Sequence, residues 1–349
     1  MKSKAVSRKI TFSKYEDTDR DGVLGLLANL WKGMNLSERD KKFRWRYEQN
    51  PYSTSPLIFV AADHDKIIGF RAMVHQKFTR KEEIYDVFSP ADAIIDPEYR
   101  KMGIFSVLNK MAIEFVNDHF ADKGIILNTS SNELSTPAYL NLGWQKTDGR
   151  KVYGYKFSLR SIFKKSTFFD DKVVTKGSDK VQFSMHLEPD ELSPLFDSRS
   201  SDKIQNIRDI NFFKWKYSQA DVDYQFVRLF ENEILQSYVV LKKISEKEVQ
   251  IEEYYFEKFE QLKLILNCVI KECCFTICRF PIFSNSQKKL ADKLGFIIEN
   301  KYFLNLLRKK RISILVRTSN PKIKEADFYI DGLDLRKCSS WQIFQADAH

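Results

Sequence analysis

Asp96-Pro-Glu-Tyr-Arg-Lys-Met-Gly-Ile-Phe105 is the stretch on which the reading of this chain turns. The run before it, Ala91 to Ile95, predicts a buried strand. After it, Ile104, Leu108, Met111 and Phe115 recur at helical spacing and predict one face of an amphipathic helix. A turn that joins a strand to a helix N-terminus makes an anion site. The first amides of the helix have no carbonyl partner, and the helix dipole places partial positive charge beside them. Gly103 allows the backbone angles such a turn needs and lets a phosphate approach the main chain. Arg100 and Lys101 add full charges beside it.

Arg100-x-x-Gly103-x-Phe105, after Pro97-Glu-Tyr99, resembles the pyrophosphate loop of the GNAT acyltransferase superfamily, usually Gln/Arg-x-x-Gly-x-Gly/Ala. Phe105 stands where that family has a small residue, so its ring is expected to turn inward. A second motif follows one supersecondary unit later. Gly124 to Asn128 predicts a short buried strand, and the segment that starts at Ser131-Asn132 ends Tyr139-Leu-Asn-Leu-Gly143-Trp144. This is similar to the family's Tyr-x-x-Leu-Gly-Phe/Trp ending, with Asn132 on the asparagine often seen before the tyrosine. Gly143 suits the position just past a helix end, where a positive φ costs little.

The upstream sequence agrees with that order. Lys9 to Ser13 reads as an edge strand and Asp21 to Trp31 as a first helix. Pro56 to Ala62 and Lys66 to His75 read as strands around the hairpin signature Asp63-His64-Asp65, and Tyr85 to Ile95 supplies the strand entering the loop. The resemblance covers roughly residues 4 to 158. It implies an α/β fold with a mixed, mostly antiparallel sheet flanked by helices, in which two parallel strands splay apart so that pantetheine adds like an extra strand. Ile94 and Ile95 sit where family members offer main-chain hydrogen bonds to it.

An internal repeat accounts for the rest of the 349 residues. Phe43-Arg-Trp45-Arg-Tyr47 recurs as Phe213-Lys-Trp215-Lys-Tyr217, Phe12-Ser13 as Phe183-Ser184, Val60 as Val227, and Leu142-Gly143-Trp144 as Leu294-Gly295-Phe296. The offset is 171, 170 and 167 residues, then falls to 152 across the interval that holds the Arg-x-x-Gly loop in the first copy. In the second copy Glu252 to Phe256 runs straight into the helical stretch Phe259 to Lys271, and Ala291 stands where Tyr139 would be. The expected organisation is therefore tandem GNAT folds: 1–158 with an acetyl-CoA site, 159–180 a crossover carrying Phe163, Phe168 and Phe169, 181–317 a degenerate copy without cofactor chemistry, and 318–349 a tail that docks through Trp341 and Phe344.

Composition fits a folded, soluble protein. Hydrophobic content is 43% with 28 phenylalanines, and no apolar run approaches bilayer length. The basic N-terminus lacks the apolar core of a secretory signal. Five cysteines, an odd number, give no disulfide framework, and Cys274-x-x-x-Cys278 lacks zinc-ligand spacing, so reduced thiols, no metal and a cytoplasmic location are expected. The net charge of +10 permits nucleic-acid binding, anionic-membrane contact or a polyanionic small ligand such as coenzyme A and by itself establishes none of them, and the basic cluster Arg308-Lys-Lys-Arg311 reads as a solvated strand end.

The resemblance implies acyl transfer from acetyl-CoA or another acyl-CoA to a primary amine. Its cofactor-binding positions fall on Ile94, Ile95, Arg100, Lys101, Met102, Gly103, Ile104, Phe105 and Asn132. Tyr139 matches the tyrosine that donates a proton to the departing sulfur. An alkylamine with an ordinary pKa of about 10.4 also needs a proton acceptor at neutral pH. Asp92 is ranked first for that part, then Glu133; His75 reads more readily as structural. Trp45-x-Tyr47 with Asn50-Pro51, the Tyr-Arg-x-x-Gly-Ile-Phe loop and the tandem design look similar to GNAT proteins of surface-polysaccharide assembly, which suggests an amino sugar or nucleotide-linked amino sugar as acceptor. Two other classes stay open: a non-catalytic acyl-CoA-binding scaffold, and an aminoacyl or peptide transferase of tandem GNAT type. Acyl length and oligomeric state are open as well.

Overall fold

The computed structural model describes residues 9–120, 124–158, 167–197, 201–219, 221–299, 312–320 and 322–348. Phe163 and the cluster Arg308 to Arg311 lie outside them. The first copy runs β1 (Ile10–Lys14), α1 (Arg20–Leu27), α2 (Leu36–Phe43), β2 (Leu57–Asp63), β3 (Lys66–Arg80), β4 (Glu83–Ile95), α3 (Ile104–Phe120), β5 (Gly124–Asn132), α4 (Thr136–Asn141) and β6 (Gln145–Phe157). Local chemistry fixes several of these boundaries. Asn35 caps α2 by accepting the Glu38 amide at 3.0 Å, and Glu38 returns the bond to the Asn35 amide at 2.7 Å. His64 takes a positive φ of 54° in the turn between β2 and β3. In α3 the buried face is Ile104, Leu108, Ala112, Ile113 and Val116, with Met111 and Phe115 packed along its margin rather than at its centre.

The second copy follows as β7 (Lys172–Lys176), β8 (Asp179–Ser184), α5 (Pro189–Asp197), β9 (Ile204–Asn206), α6 (Ile210–Lys216), β10 (Tyr224–Glu231), β11 (Ile234–Ser245), β12 (Glu248–Tyr255), α7 (Phe259–Glu272), β13 (Ile277–Ile282), α8 (Asn285–Lys293), β14 (Ile297–Ile298) and β15 (Ile312–Thr318). The repeat seen in the sequence is a repeat of structure: β2–β5 and β10–β13 have the same order and the same strand directions. Part of the stretch expected to be a crossover is β7, an edge strand paired with β8, and Phe168 and Phe169 pack on the second core.

The copies exchange strands. β15, which follows the second copy in the chain, lies antiparallel between β5 and β6 of the first. β6 in turn carries its second half, Val152–Phe157, between β13 and β14 of the second copy. One continuous sheet results, and the segment expected to close the second domain completes the first. The copies also meet at a local two-fold. Trp45 and Trp215 stack with ring centroids 6.1 Å apart, and each indole N–H donates to the other's carbonyl at 2.7 Å. Burial of both indoles and satisfaction of both donors make this a strong contact.

The tail continues as β16 (Tyr329–Ile330), β17 (Leu333–Asp334) and β18 (Trp341–Gln342). β18 pairs with β9, and β9 pairs with β3 of the first copy. Beyond β18, Phe344 packs edge-on against Tyr254 at 5.0 Å, and Gln287 donates to the Ile343 carbonyl at 2.7 Å. Arg208, buried, bridges Glu253 at 2.9 Å and Asp347 at 2.8 Å. No helix among the described residues is long and apolar enough to cross a membrane.

Candidate active site

The Asp96–Gly103 loop is pinned at its start and open at its end. The Asp96 carboxylate caps the Glu98 amide at 3.0 Å and pairs with Lys66 at 2.8 Å, while the Tyr99 hydroxyl donates to Asp63 at 2.8 Å. The chain then takes positive φ at Lys101 (66°) and Gly103 (80°). Alternating hands of this kind turn successive amides towards one point. A Cβ on Gly103 would meet nothing within 4 Å, so the glycine answers to its dihedral and not to crowding. The Ser106 and Val107 amides bond back to the Gly103 carbonyl at 2.9 and 3.2 Å, while Ile104 and Phe105 precede any intrahelical acceptor. Arg100, Lys101 and Met102 are exposed around this point. Gly69 on β3 lets the α3 head approach, since a Cβ there would lie 2.9 Å from the Ile104 side chain. Phe105 turns inward as expected and packs against Tyr139 with centroids 5.6 Å apart.

Behind the loop the parallel strands part. β4 and β5 pair only over Asp86–Phe88 and Gly124–Ile126. Past that point β5 continues against β15, and β4 continues against β3 through Ile94 and Ile95, opposite Phe70 and Gly69. One main-chain edge of β4 is left for an extended ligand. A loop that gathers amides, at the mouth of an unpaired strand edge, fits the pyrophosphate and pantetheine of coenzyme A.

Tyr139 stands over this opening from α4, buried, with Phe105 on one contact, Trp144 at 5.1 Å on another and the Arg71 guanidinium 5.6 Å from its ring centre. Asn132 builds the turn into α4: its side-chain oxygen accepts the amides of Leu134 (2.9 Å) and Ser135 (3.2 Å), which leaves its NH2 for a ligand. Glu133 is exposed and faces a cavity of about 390 Å³ lined by Thr136, Leu140, Lys146 and Arg150.

Asp92 lies at a bulge of β4, on the side that faces the second copy. It accepts the Tyr47 hydroxyl at 2.7 Å and pairs with Arg46 at 3.1 Å. Burial, then the Asp92 charge, pushes the Tyr47 phenol well above its ordinary pKa, so the phenol keeps its proton. Across the local two-fold the counterparts of Arg46 and Asp92 are Lys216 and Glu252, and β12 carries a bulge at the same place. Burial pulls Lys216 down to about 8, opposed by Glu252 and Asp347. Sequence reading missed this pair, although the repeat that aligns Arg46 with Lys216 points to it. His75 is buried, stacked on Phe88 at 4.5 Å and bonded to Asp86 at 2.7 Å. Burial acts to raise the Asp86 carboxyl, yet His75 and Lys77 outweigh it and hold it below its ordinary range. His75 is thus held between a ring and a carboxylate. Trp45, Tyr47 and Asn50 are likewise used internally, Asn50 through a 2.9 Å bond to the His75 carbonyl.

At the same place in the second copy the end of β12 borders a cavity of about 570 Å³ lined by Tyr254, Phe256, Glu257, Gln287 and Phe344. β12 and β13 also part after a short parallel pairing, Glu248–Gln250 with Ile277–Arg279. Only Phe256–Lys258 separates β12 from α7, however, and the Gln261 side chain accepts the amides of Glu257 (3.2 Å) and Lys258 (3.0 Å). Two amides ahead of α7 are thus taken, and Glu257 adds a negative charge beside them. Ala291 replaces the tyrosine, and the tail residues Ile343–Asp347 pack beside β12 where the strands diverge.

No protein-family model matches the sequence, and no curated protein matches it. Solved structures do. A GCN5-related N-acetyltransferase from Anabaena variabilis is similar at 10% identity with a TM-score of 0.62, over 89% of this chain and 73% of that one. A tandem GNAT protein from the clavulanic acid biosynthesis pathway is similar at 10% identity with a TM-score of 0.56, over 90% of this chain and 100% of that one. N-myristoyltransferase from Saccharomyces cerevisiae with bound myristoyl-CoA gives 10% identity and a TM-score of 0.54, over 96% of this chain and 85% of the other. Likeness at these identities carries the fold, and with the repeat and the loop already described it leads to one conclusion: the chain is a tandem GNAT-fold protein.

Proposed function

We propose that this protein transfers an acyl group from an acyl-CoA thioester to a primary amine, with the chemistry confined to the first copy. The observation that carries the reading is the turn into α3, whose Gly103, Ile104 and Phe105 amides sit at the head of that 17-residue helix and at the mouth of the β4–β5 opening. That several structures of this fold are acetyltransferases, and that one holds myristoyl-CoA, supports an acyl-CoA co-substrate.

Acyl-CoA supplies an activated acyl carbon and a thiolate leaving group. The amides of Gly103, Ile104 and Phe105 hold the pyrophosphate, with Arg100 and Lys101 adding charge and Met102 closing the turn. Ile94 and Ile95 align the pantetheine arm along β4, and the Asn132 amide donates from the far side. The amine nitrogen bonds to the acyl carbon as the C–S bond breaks. Tyr139 gives its proton to the sulfur, and the amine's proton goes to Asp92. Asp92 opens towards the second copy, so the acceptor enters between the copies, beside Arg46 and Tyr47. An amino sugar, free or nucleotide-linked, is the first acceptor class to test, on the likeness of the loop and the tandem design alone. Five free cysteines suit a reducing compartment, and the reading places the reaction in the cytoplasm.

The test is thiol release by the full chain with several acyl-CoA donors against amino sugars, nucleotide-linked amino sugars, polyamines and peptides. Amine-dependent release that falls about 10²–10⁴-fold in Tyr139→Phe, with acyl-CoA affinity retained, is expected. Acyl-CoA binding with no amine-dependent release across the panel moves the protein to the scaffold class.

A further inference from the structure

One buried charge has no use in this account. Arg71, in the middle of β3, is 1% exposed. Its cross-strand neighbours are Phe59 on β2 and Ala93 on β4, and neither brings an anion. Nε and Nη1 meet no acceptor, and Nη2 reaches only the Met73 sulfur at 3.9 Å. No carboxylate among the described residues pairs with it. The guanidinium lies over the Tyr139 ring, and Trp144, packed on that same ring, holds its indole N–H buried and without an acceptor. Unpaired donors therefore gather under the side chain assigned to the sulfur, on the face of β3 and β4 that α3 and α4 cover.

An isolated charge in a protein interior is costly, and buried polar groups without partners are rare in folded proteins. A water or an amide carbonyl would satisfy N–H groups and leave the charge. A long alkyl chain would satisfy neither. An anion does both, and a carboxylate is the anion that an acyl chain brings. We propose that the acyl group handled by this protein ends in a carboxylate, of the malonyl or succinyl class, and that Arg71 is the residue that selects it. This rests on the acyl-CoA reading above and adds the class of acyl donor to it. Tyr139 divides the site: its hydroxyl serves the sulfur, and its ring face rests on the guanidinium that receives the far end of the acyl group.

The proposal is tested by calorimetric titration of the full-length protein with free CoA, acetyl-CoA, malonyl-CoA and succinyl-CoA. One of the carboxyacyl thioesters should bind about tenfold or more tighter than acetyl-CoA, the worth of a charge-assisted hydrogen bond. Arg71→Met should abolish that preference and leave free CoA affinity within about threefold of the parent, since the pyrophosphate loop is untouched. Acetyl-CoA binding as tight as both carboxyacyl thioesters in the unmodified protein overturns the proposal while leaving the acyl-CoA reading in place. Failure of every thioester and of CoA to bind overturns both. Should Arg71→Met not fold, the ratio measured on the unmodified protein decides alone.

Discussion

The two copies share strand order, the bulge in the fourth strand and the aromatic contact at the local two-fold, and they differ where a phosphate would sit. The first copy places the Asp96–Gly103 loop before α3, with two positive-φ residues and open amides. The second places Phe256–Lys258 before α7 and turns Gln261 back onto the amides. The first has Tyr139 over the strand opening, and the second has Ala291 with its own tail alongside. A site of this kind resides in a few loop residues, while the core beneath it is retained for another reason. Strand exchange gives that reason: without β15 the first sheet loses the strand between β5 and β6, and without β6 the second loses the one beside β13. Neither copy is complete alone, so neither can be shed without the other.

The contact between copies gives the sharpest expectation. Trp45→Ala and Trp215→Ala should each destabilise the fold by about 3–5 kcal/mol, and by similar amounts, because each removes a buried indole and leaves the other residue's carbonyl without its donor. Denaturant unfolding of both variants and of the double variant checks this. The double should lose clearly less than the combined single losses, since the residues act on each other. Strict additivity would break the two-fold account.

The loops can be compared next. Gly103→Asp forces a side chain into a φ of 80° and puts negative charge at the phosphate approach, so CoA affinity should fall at least about 100-fold, or 2.7 kcal/mol. Gln261→Ala frees two amides in the second copy and should lower stability by about 1–2 kcal/mol without changing CoA affinity. Equal loss of CoA binding in both variants would place ligand in both copies.

The smallest effect concerns the charges at the interface. Burial holds Lys216 at about 8 in the folded chain, against an ordinary value of 10.5. Between those pH values the unfolded chain binds more protons, so this amine makes stability rise with pH across that window. Lys151, also buried and pulled down to about 8, acts in the same direction. Lys216→Met should flatten the rise between pH 8 and 10 by on the order of 1 kcal/mol, read from urea unfolding at several pH values.

Much of this was legible in the sequence, and the reason lies in what is local. The Arg100–Phe105 loop, the Tyr139–Trp144 ending and the aromatic-basic pentapeptides are short, ordered runs whose chemistry shows in the letters. The missing Arg-x-x-Gly turn of the second copy was legible too, because the repeat offset shortens there. Strand exchange was not. Gln145–Phe157 and Ile312–Thr318 alternate like any strand, and alternation says which face is buried but not which sheet is joined. The ends of the tail announced docking through Trp341 and Phe344, while its place beside β12 depends on the buried Arg208–Asp347 pair, which joins residues far apart in the chain. Arg71 gave no signal because one arginine in a strand reads as an exposed residue until its neighbours are known. His75 and Asp86 likewise became a pair only when β3 and β4 came together.

Hydrogen–deuterium exchange of the full chain with and without saturating CoA tests the central claim most directly. Protection confined to the amides of residues 94–107 and 127–135, with residues 251–262 unchanged, is the predicted result. Protection of residues 251–262 equal to that of the first loop would contradict the assignment of a single acyl-CoA site to the first copy.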